Sequence, residues 1–247
     1  MKAMLRRMLP GRIRTQRILG GPLRGAVIVA SWHDYPAAIL GYTERSLVGW
    51  FGQHVRAGET WLDVGAHYGY TAIALSRLVG PQGRVFAFEP MLSTAGYLAQ
   101  TRRLNRLEQL RVVPLGLGAP RGDLEPRALV STRGMVDSTV AEGEPEPIVV
   151  ARLDWLWPQL CGDLEKIDGM KIDVQGMEIE AFRGMARLLR RFTPKLVVEV
   201  HRGVDRAEML EVLEAAGYAR AGLPIEPGEP AASPHYLDDR SYAFHRA

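Results

Sequence analysis

Short apolar segments and longer amphipathic ones alternate over most of this chain. The segments 60–65, 84–90 and 110–118 are apolar, and helical patterns of ten or more residues separate them. The same alternation returns between 170 and 218. Strands joined by helices of that length pair in parallel and form a sheet with helices on both faces. We therefore predict an α/β fold with a Rossmann-like, doubly wound sheet that is mostly parallel and has an antiparallel last strand.

The regions outside this alternation define the predicted domain organisation. With 247 residues, 47% of them hydrophobic, the chain can form one large core. We predict a single domain over 25–247, interrupted at about 119–147 by an irregular insertion that contains an antiparallel hairpin of 127–134 and 137–141. Residues 1–24 carry one Lys, six Arg and no acid. They are predicted to form a basic N-terminal arm that is solvated, packed on a partner, or in contact with an anionic partner.

Composition excludes several other classes of protein. Cys161 is the single cysteine, so neither an internal disulfide nor a zinc cluster of cysteines is expected. No apolar run reaches the roughly 18 residues that span a bilayer, and no aromatic and basic RNA-binding motif is visible. We expect a soluble, cytoplasmic protein without a nucleic-acid partner. The sequence leaves open whether it forms a homo-oligomer.

A glycine turn follows the strand at 60–65. Gly65 and Gly69 let a ligand approach the backbone at the start of a helix. Three residues separate them, so the G-x-G-x-x-G pattern of dinucleotide sites is missing. Asp63 precedes the turn, and an acid there suits a ligand with an ammonium and a sulfonium group, such as S-adenosylmethionine. The structural alternative is that Asp63 caps its own helix.

Further candidate cofactor contacts lie in the turn itself and at the ends of the next two strands. Glu89 ends a strand 20 residues after Gly69, and its carboxylate can accept hydrogen bonds from both ribose hydroxyls. Gly116 and Leu117 offer backbone and apolar surface to adenine. The turn contributes three more candidates, which either contact the methionine end of the cofactor or cover the turn: Ala66, His67 and Tyr68.

The order of these motifs resembles that of a known family. WLDVGAHYGYTAIAL, VFAFEP, VVPLGLG, ARLDWL, MKIDVQGMEIEAFRGM and VVEVH resemble the FkbM-type family of S-adenosylmethionine-dependent methyltransferases over about residues 40–202. The resemblance implies a class I methyltransferase fold and O-methylation of a hydroxyl on a sugar, polyketide or other natural product. YTERSL resembles the Tyr-Glu helix start of the family, which implies that Tyr42 and Glu44 lie near the cofactor mouth. His67 and Gln175 replace the usual Asn and Glu, so an acid/base role at 175 does not carry over.

Three side chains at the ends of two strands are the candidate catalytic groups. Asp173 follows an apolar strand, and we expect it either to contact cofactor or acceptor or to pair with Lys171. Glu199 and His201 point to the same side of their strand, so His201 could accept the proton of an acceptor hydroxyl or could be purely structural. All three could instead hold a hard divalent ion that acidifies the hydroxyl. The sequence does not show whether they converge.

The function predicted from these patterns is methyl transfer from S-adenosylmethionine to a hydroxyl of a small molecule. Holding the acceptor oxygen in line with the methyl carbon supplies much of the acceleration of such a displacement. Two alternatives stay open. One is a nicotinamide-dependent oxidoreductase, which shares this type of sheet, and the other is a cofactor-binding scaffold without turnover.

Overall fold

The computed structural model describes residues 9–132, 135–136, 145–161, 166–232 and 234–247. Its strands are β1 Arg14–Arg17, β2 Val27–Ala30, β3 Thr60–Val64, β4 Arg84–Phe88, β5 Leu110–Val113, β6 Gly116–Leu117, β7 Leu124–Thr132, β8 Met135–Val136, β9 Pro145–Ala151, β10 Gly169–Ile172, β11 Lys195–Val200, β12 Leu223–Pro224 and β13 Arg240–Phe244. Its helices are α1 Pro36–Leu40, α2 Arg45–His54, α3 Tyr70–Val79, α4 Leu92–Leu104, α5 Leu153–Cys161, α6 Glu178–Gly184, α7 Ala186–Phe192 and α8 Arg206–Ala215. Among these described residues, none of the helices is long and apolar enough to cross a membrane.

The alternating strands form a seven-stranded sheet in the order β12-β13-β11-β10-β3-β4-β5. The five strands from β11 to β5 are parallel, and β13 pairs antiparallel with β11 and β12. This confirms the predicted α/β fold with a mostly parallel, doubly wound sheet and an antiparallel last strand. The chain order reverses between β3 and β10. Ligands of such sheets bind in the crevice beyond the carboxyl ends of the strands at that point.

The side chains of β3 show that both faces of the sheet are covered. Trp61 packs into one apolar core, together with Phe51 of α2, whereas Leu62 and Val64 pack into the other. Since alternate residues of a strand face opposite sides, a nearly continuous apolar strand suits a sheet that is buried on both faces. Asp63 lies within this strand and is fully buried, so its charge needs partners inside the fold.

Residues 14–23 belong to the body of the fold rather than to a separate arm. β1 pairs antiparallel with β2, and a buried hydrogen bond of 3.0 Å ties β2 to α4. Ile18 and Leu23 are buried in the adjoining core. The fold therefore differs from an arm that ends at residue 24, because apolar side chains inside the basic segment pack against the domain. Residues 1–8 of the predicted arm lie outside the described residues.

The predicted insertion forms a second, smaller sheet with the strand order β6-β9-β7-β8. β7 pairs antiparallel with β9 over seven residue pairs, so the partner of the strand predicted at 127–134 is β9. The other predicted strand, 137–141, lies outside the described residues. The strand predicted over 110–118 divides between two sheets. Pro114 follows β5, and β6 then leaves the central sheet and pairs with β9.

Within the second stretch of alternation, the amphipathic segment 178–192 forms two helices, α6 and α7, which meet at Met185. Gly184 ends α6 against the second sheet, where a Cβ would come within 1.8 Å of the Gly118 carbonyl oxygen. Because glycine has no side chain, the helix can pack directly on the backbone that follows β6. This close contact joins the insertion to the central sheet beside the switch point.

Candidate active site

The turn between β3 and α3 has a left-handed backbone at three positions. Gly65 and Gly69 have φ angles of 80° and 94°, and His67 between them has a φ of 50°. A Cβ at Gly65 would lie 1.7 Å from the Asp173 carbonyl oxygen, so the turn packs directly on the end of β10. Glycine at position 65 is thus required both by its backbone angle and by the packing of the chain on itself.

Asp63 lies beneath this turn. Its Oδ2 accepts a hydrogen bond of 2.7 Å from Thr71 Oγ1 of α3. Its Oδ1 is buried, has no hydrogen-bond partner among the described residues, and lies 3.6 Å from Lys171 Nζ. Burial raises the pKa of Asp63, although the positive charge of Lys171 opposes the rise. The side chain therefore fastens the turn to α3 through Oδ2 and pairs with the charge of Lys171 through Oδ1.

Lys171 joins the turn to the end of β10. Its Nζ donates to the Gly65 carbonyl at 3.2 Å and to Asp173 Oδ2 at 2.9 Å, and its side chain is 4% exposed. Burial lowers the pKa of Lys171, but the negative charges of Asp173 and Asp63 outweigh burial and raise the pKa above its ordinary value. The pairing of Asp173 with Lys171, one of the two alternatives from the sequence, is therefore present.

Glu89 follows the carboxyl end of β4. Each of its oxygens accepts a backbone N–H: Oε2 from His67 at 2.9 Å and Oε1 from Met91 at 3.0 Å. Burial raises the pKa of Glu89 to about 7, against the effect of these two hydrogen bonds. Because a carboxylate oxygen has two lone pairs, each oxygen can accept one more hydrogen bond. Two neighbouring ribose hydroxyls would supply such a pair of donors.

A cavity lies at the switch point, bordered by the ends of β3, β4, β10 and β11 and by the second sheet. Ile148 and Val150 of β9 contribute apolar surface to it. The predicted cofactor residues that line this cavity are Gly65, Ala66, His67, Glu89, Gly116, Leu117 and Asp173. One concave surface is therefore shared by the turn residues, the end of β4 and the β6 strand. A nucleotide-like ligand requires such a surface.

Three predicted cofactor residues lie outside this lining. Asp63 is beneath the turn, and Gly69 forms the N-cap of α3. Tyr68 is buried with its hydroxyl 3.2 Å from Asp34 Oδ2, and its ring is 4.2 Å from that of His67. The Tyr68 ring is therefore buried beside the turn and faces neither the cavity nor the outside.

His201 also lies outside the cavity lining. Its Nδ1 is 2.6 Å from Oε1 of the buried Glu178, whereas its Nε2 is 3.4 Å from Asp173 Oδ1 and 3.5 Å from Glu199 Oε1. Burial lowers the pKa of His201, but hydrogen bonds with Glu178 and Glu199 outweigh burial and raise the pKa to about 11. Both ring nitrogens thus have partners within the chain, and the nearest carboxylate is Glu178 rather than Glu199. The role of His201 as a proton acceptor stays a prediction.

Gln175 connects His201 with the cavity. Its Nε2 lies 2.9 Å from His201 Nε2 and 3.1 Å from Asp173 Oδ1, and the residue lines the cavity. The amide nitrogen can donate to both partners when His201 Nε2 is the acceptor and its Nδ1 carries the proton that faces Glu178. The residue that departs from the usual family pattern is thus part of the hydrogen-bond network around Asp173.

The three predicted catalytic groups converge. One ligand atom from each of Asp173, Glu199 and His201 lies within 4.8 Å of the others, a spacing that a single divalent ion could bridge. The same space contains hydrogen-bond donors of the chain, since Lys171 and Gln175 both donate to Asp173. The carboxylate charge is therefore already compensated by neighbouring side chains, and metal binding stays a prediction.

Glu44 is a cavity-lining carboxylate that the catalytic candidates from the sequence did not include. It precedes α2 with a φ of 50°, and its side chain lines the cavity instead of capping that helix. Burial and the charge of Glu199 raise the pKa of Glu44 to about 7. The Tyr-Glu resemblance was the signal that pointed to it, because nothing in its local spacing marks it as a partner of the strand ends.

Sheet order, glycine turn and the acid after β4 define the fold of class I S-adenosylmethionine-dependent methyltransferases. Solved structures share this fold. Methyltransferase FkbM from Methylobacillus flagellatus matches 80% of this chain and 50% of its own, with a TM-score of 0.51 and 17% identity. Precorrin-6y C5,15-methyltransferase from Geobacter metallireducens matches 82% of this chain and 87% of its own, with a TM-score of 0.50 and 17% identity.

Sequence comparison defines the family within this class. Residues 63–219 match the family model of the methyltransferase FkbM domain, so the chain belongs to the FkbM methyltransferase family, as the resemblance predicted. Hexuronic acid methyltransferase AglP of Haloferax volcanii is 30% identical over 165 residues. The match covers 62% of this chain and 61% of that relative, which is less than two thirds of the length of the relative.

Proposed function

We propose that this chain transfers the methyl group of S-adenosylmethionine to a hydroxyl oxygen of a small molecule, with a sugar or related natural product as the acceptor. The observation that carries the proposal is the cavity at the switch point. There, a carboxylate that fits ribose and an apolar wall adjoin a cluster of acidic side chains. Membership of the FkbM methyltransferase family supports methyl transfer as the reaction.

The residues of the β3–α3 turn and of the ends of β4 and β6 fit the functional groups of the cofactor. Glu89 has acceptor capacity left for two ribose hydroxyls, and Gly116 and Leu117 offer backbone and apolar surface to adenine. Asp63 Oδ1 has no hydrogen bond among the described residues and lies 3.6 Å from Lys171 Nζ beneath the turn. Its buried charge would favour a ligand ammonium group through the field of the turn or through water. When bound, the cofactor supplies an electrophilic methyl group on a sulfonium. The protein contributes positioning, exclusion of water and removal of a proton from the acceptor.

The second sheet and the acidic side chains are proposed to hold the acceptor. Ile148 and Val150 bring the insertion into the cavity, and such additions to a common fold typically determine specificity. Glu44, Asp173 and Glu199 offer oxygens that accept hydrogen bonds from acceptor hydroxyls. The relative from Haloferax volcanii is named for a hexuronic acid, which supports a sugar-type acceptor here.

Binding measurements separate this function from a nicotinamide oxidoreductase. Calorimetric titration of the protein with S-adenosylhomocysteine and with NAD should show binding of S-adenosylhomocysteine alone, because the turn lacks the third glycine of a pyrophosphate site. Binding of NAD without binding of S-adenosylhomocysteine would contradict the proposal.

A transfer assay then tests the acceptor chemistry. Methyl-tritiated S-adenosylmethionine is incubated with methyl glucoside, methyl rhamnoside, methyl glucuronide and phenol as acceptor probes. Label that resists mild alkali is an ether and supports methylation of a hydroxyl. Label that alkali releases from methyl glucuronide is an ester and contradicts a hydroxyl acceptor. Cofactor binding without transfer to any probe favours a scaffold without turnover.

A further inference from the structure

Methyl transfer to a hydroxyl is accelerated by a group that accepts the hydroxyl proton. We propose that Glu44 is this catalytic residue, and the inference rests on the proposed function. As the acceptor oxygen bonds to the methyl carbon, the bond between that carbon and sulfur breaks and its electron pair stays on sulfur. The hydroxyl proton moves to the Glu44 carboxylate. One negative and one positive charge disappear together, and the products are a carboxylic acid, a methyl ether and a neutral thioether.

The other carboxylates that line the cavity already have partners within the chain. Glu89 accepts two backbone N–H groups, and Asp173 accepts from Lys171 and Gln175. Glu199 Oε1 lies 3.5 Å from His201 Nε2. These contacts hold each carboxylate in place within the chain, and only for Asp173 is the pKa lowered. Burial raises the pKa values of Glu89 and Glu199, so their contacts within the chain, rather than their pKa values, separate them from Glu44.

The backbone at Glu44 directs its side chain into the cavity. Glu44 has a φ of 50°, an uncommon value for a residue with a side chain, and it occupies the N-cap of α2 without a capping hydrogen bond from its side chain. An acid at this position would ordinarily be stabilised by the free N–H groups of the helix. The residue lines the cavity instead. Strained positions of this kind cluster at functional sites.

Charged and titratable groups surround Glu44 on every side. They are Lys171, Asp173 and Glu199 at the strand ends, Tyr35 before α1, Arg45 in α2, Tyr70 in α3 and Glu226 before β13. Burial and the charge of Glu199 raise the pKa of Glu44 to about 7, and the charge of Lys171 opposes the rise. A base with a pKa near the working pH combines a sufficient ionised fraction with a strong tendency to accept a proton.

Kinetics with the probe that accepts label in the transfer assay provide the first test. For Glu44→Gln we expect kcat to fall by about 100-fold or more, while the affinity for S-adenosylhomocysteine stays within about twofold. In the wild type, kcat/KM should rise with pH through a midpoint near 7, because the ionised carboxylate is the active form. Glu44→Asp should recover part of the lost kcat, and its kcat/KM should again rise with pH through a midpoint. Glu108→Gln, which removes an exposed carboxylate outside the cavity, is the matched control.

A second test needs no acceptor. S-adenosylmethionine carries a positive sulfonium, which lowers the pKa of a nearby carboxylate. At pH 7 the wild type should therefore release up to about half a proton more on binding S-adenosylmethionine than on binding neutral-sulfur S-adenosylhomocysteine. Calorimetry in buffers of different protonation enthalpy measures this difference. The Glu44→Gln variant should bind both ligands and lose the difference.

Several results would overturn the assignment. One is equal proton release in the wild type and in Glu44→Gln. Another is a pH midpoint of turnover that Glu44→Gln keeps and Glu199→Gln loses, which would make Glu199 the proton acceptor. If the wild type fails to bind S-adenosylmethionine at all, the proposed function itself is contradicted, so the two failures are distinguishable.

Discussion

The two sides of the cavity are built in different ways. On the turn side, the residues from Asp63 to Glu89 form one continuous segment. Backbone groups make many of the contacts within it, such as the bonds from Gly65 N and Ala66 N to the Phe88 carbonyl. On the acid side, Glu44, Asp173 and Glu199 come from separate segments and meet through charged side chains. A perturbation of the turn side should therefore act through steric fit, and a perturbation of the acid side through electrostatics.

Gly65→Ala is expected to have the largest effect, because position 65 lies where the two sides touch. The added Cβ would come within 1.7 Å of the Asp173 carbonyl oxygen at a φ of 80°. We expect a loss of about 3 kcal/mol or more in the free energy of unfolding, and loss of S-adenosylhomocysteine binding.

Gly25→Ala is the matched control for that substitution. Gly25 has a φ of 86°, and a Cβ added there would have no other atom within 4 Å. The free energy of unfolding of this variant should fall by only about 1 to 2 kcal/mol, which is the cost of placing a residue with a Cβ in a left-handed backbone conformation. Urea unfolding of both variants measures the difference. Equal losses would mean that the close approach of the turn to β10 does not limit stability.

Lys171→Met should have the next largest effect and should depend on pH. Removal of the cation leaves the buried Asp63 and the half-buried Asp173 without the charge that pairs with both of them, at a cost of about 3 to 5 kcal/mol. Lys166→Met is the control, since Lys166 pairs with Asp168 through a side chain that is 68% exposed. We expect about 1 kcal/mol or less for it.

The sign of the pH dependence follows from the Asp173 carboxyl. In the wild type, burial raises the pKa of Asp173, but the charges of Lys171 and His201 outweigh burial and lower it. The contribution of this carboxyl to the free energy of unfolding is therefore present above its ordinary pKa of 3.8 and is lost as pH falls through the lowered pKa. In Lys171→Met the buried carboxyls have raised pKa values, and acid relieves their burial. The difference in unfolding free energy between the two proteins should shrink from about pH 7 to about pH 5. A constant difference would contradict an electrostatic role.

The sequence predicted the turn side far better than the acid side, for a physical reason. Strand, turn and terminal acid around Gly65 and Glu89 depend on local backbone geometry, and spacing along the chain reflects that geometry. The contact of His201 with Glu178 and the approach of Glu44 to the strand ends depend on how separate elements pack. Such contacts leave no periodic signal in the sequence.

Glu89→Gln should weaken cofactor binding with a smaller effect on the fold than Gly65→Ala. The amide keeps the shape of the side chain but loses the charge that strengthens hydrogen bonds from ribose, at a cost of about 2 to 4 kcal/mol in binding. One backbone N–H from His67 or Met91 would also face an amide nitrogen, so we expect a modest fall in melting temperature. Calorimetry with S-adenosylhomocysteine measures the affinity, and an unchanged value would remove Glu89 from the cofactor site.

Chelation should have the smallest effect. Lys171 and Gln175 already donate to Asp173, so treatment with EDTA should leave turnover and S-adenosylhomocysteine affinity within about twofold. If EDTA stops turnover and added magnesium or manganese restores it, the acid side holds a divalent ion, and Asp173, Glu199 and His201 become its ligands.

A crystal structure of the complex with S-adenosylhomocysteine tests the division of the cavity most directly. We predict that the ribose hydroxyls bind the carboxylate of Glu89, that adenine packs against Gly116 and Leu117, and that the sulfur faces the space bordered by Glu44 and Glu199. A ribose bound among the acidic side chains, or an adenine that makes no contact with the second sheet, would contradict the proposed arrangement.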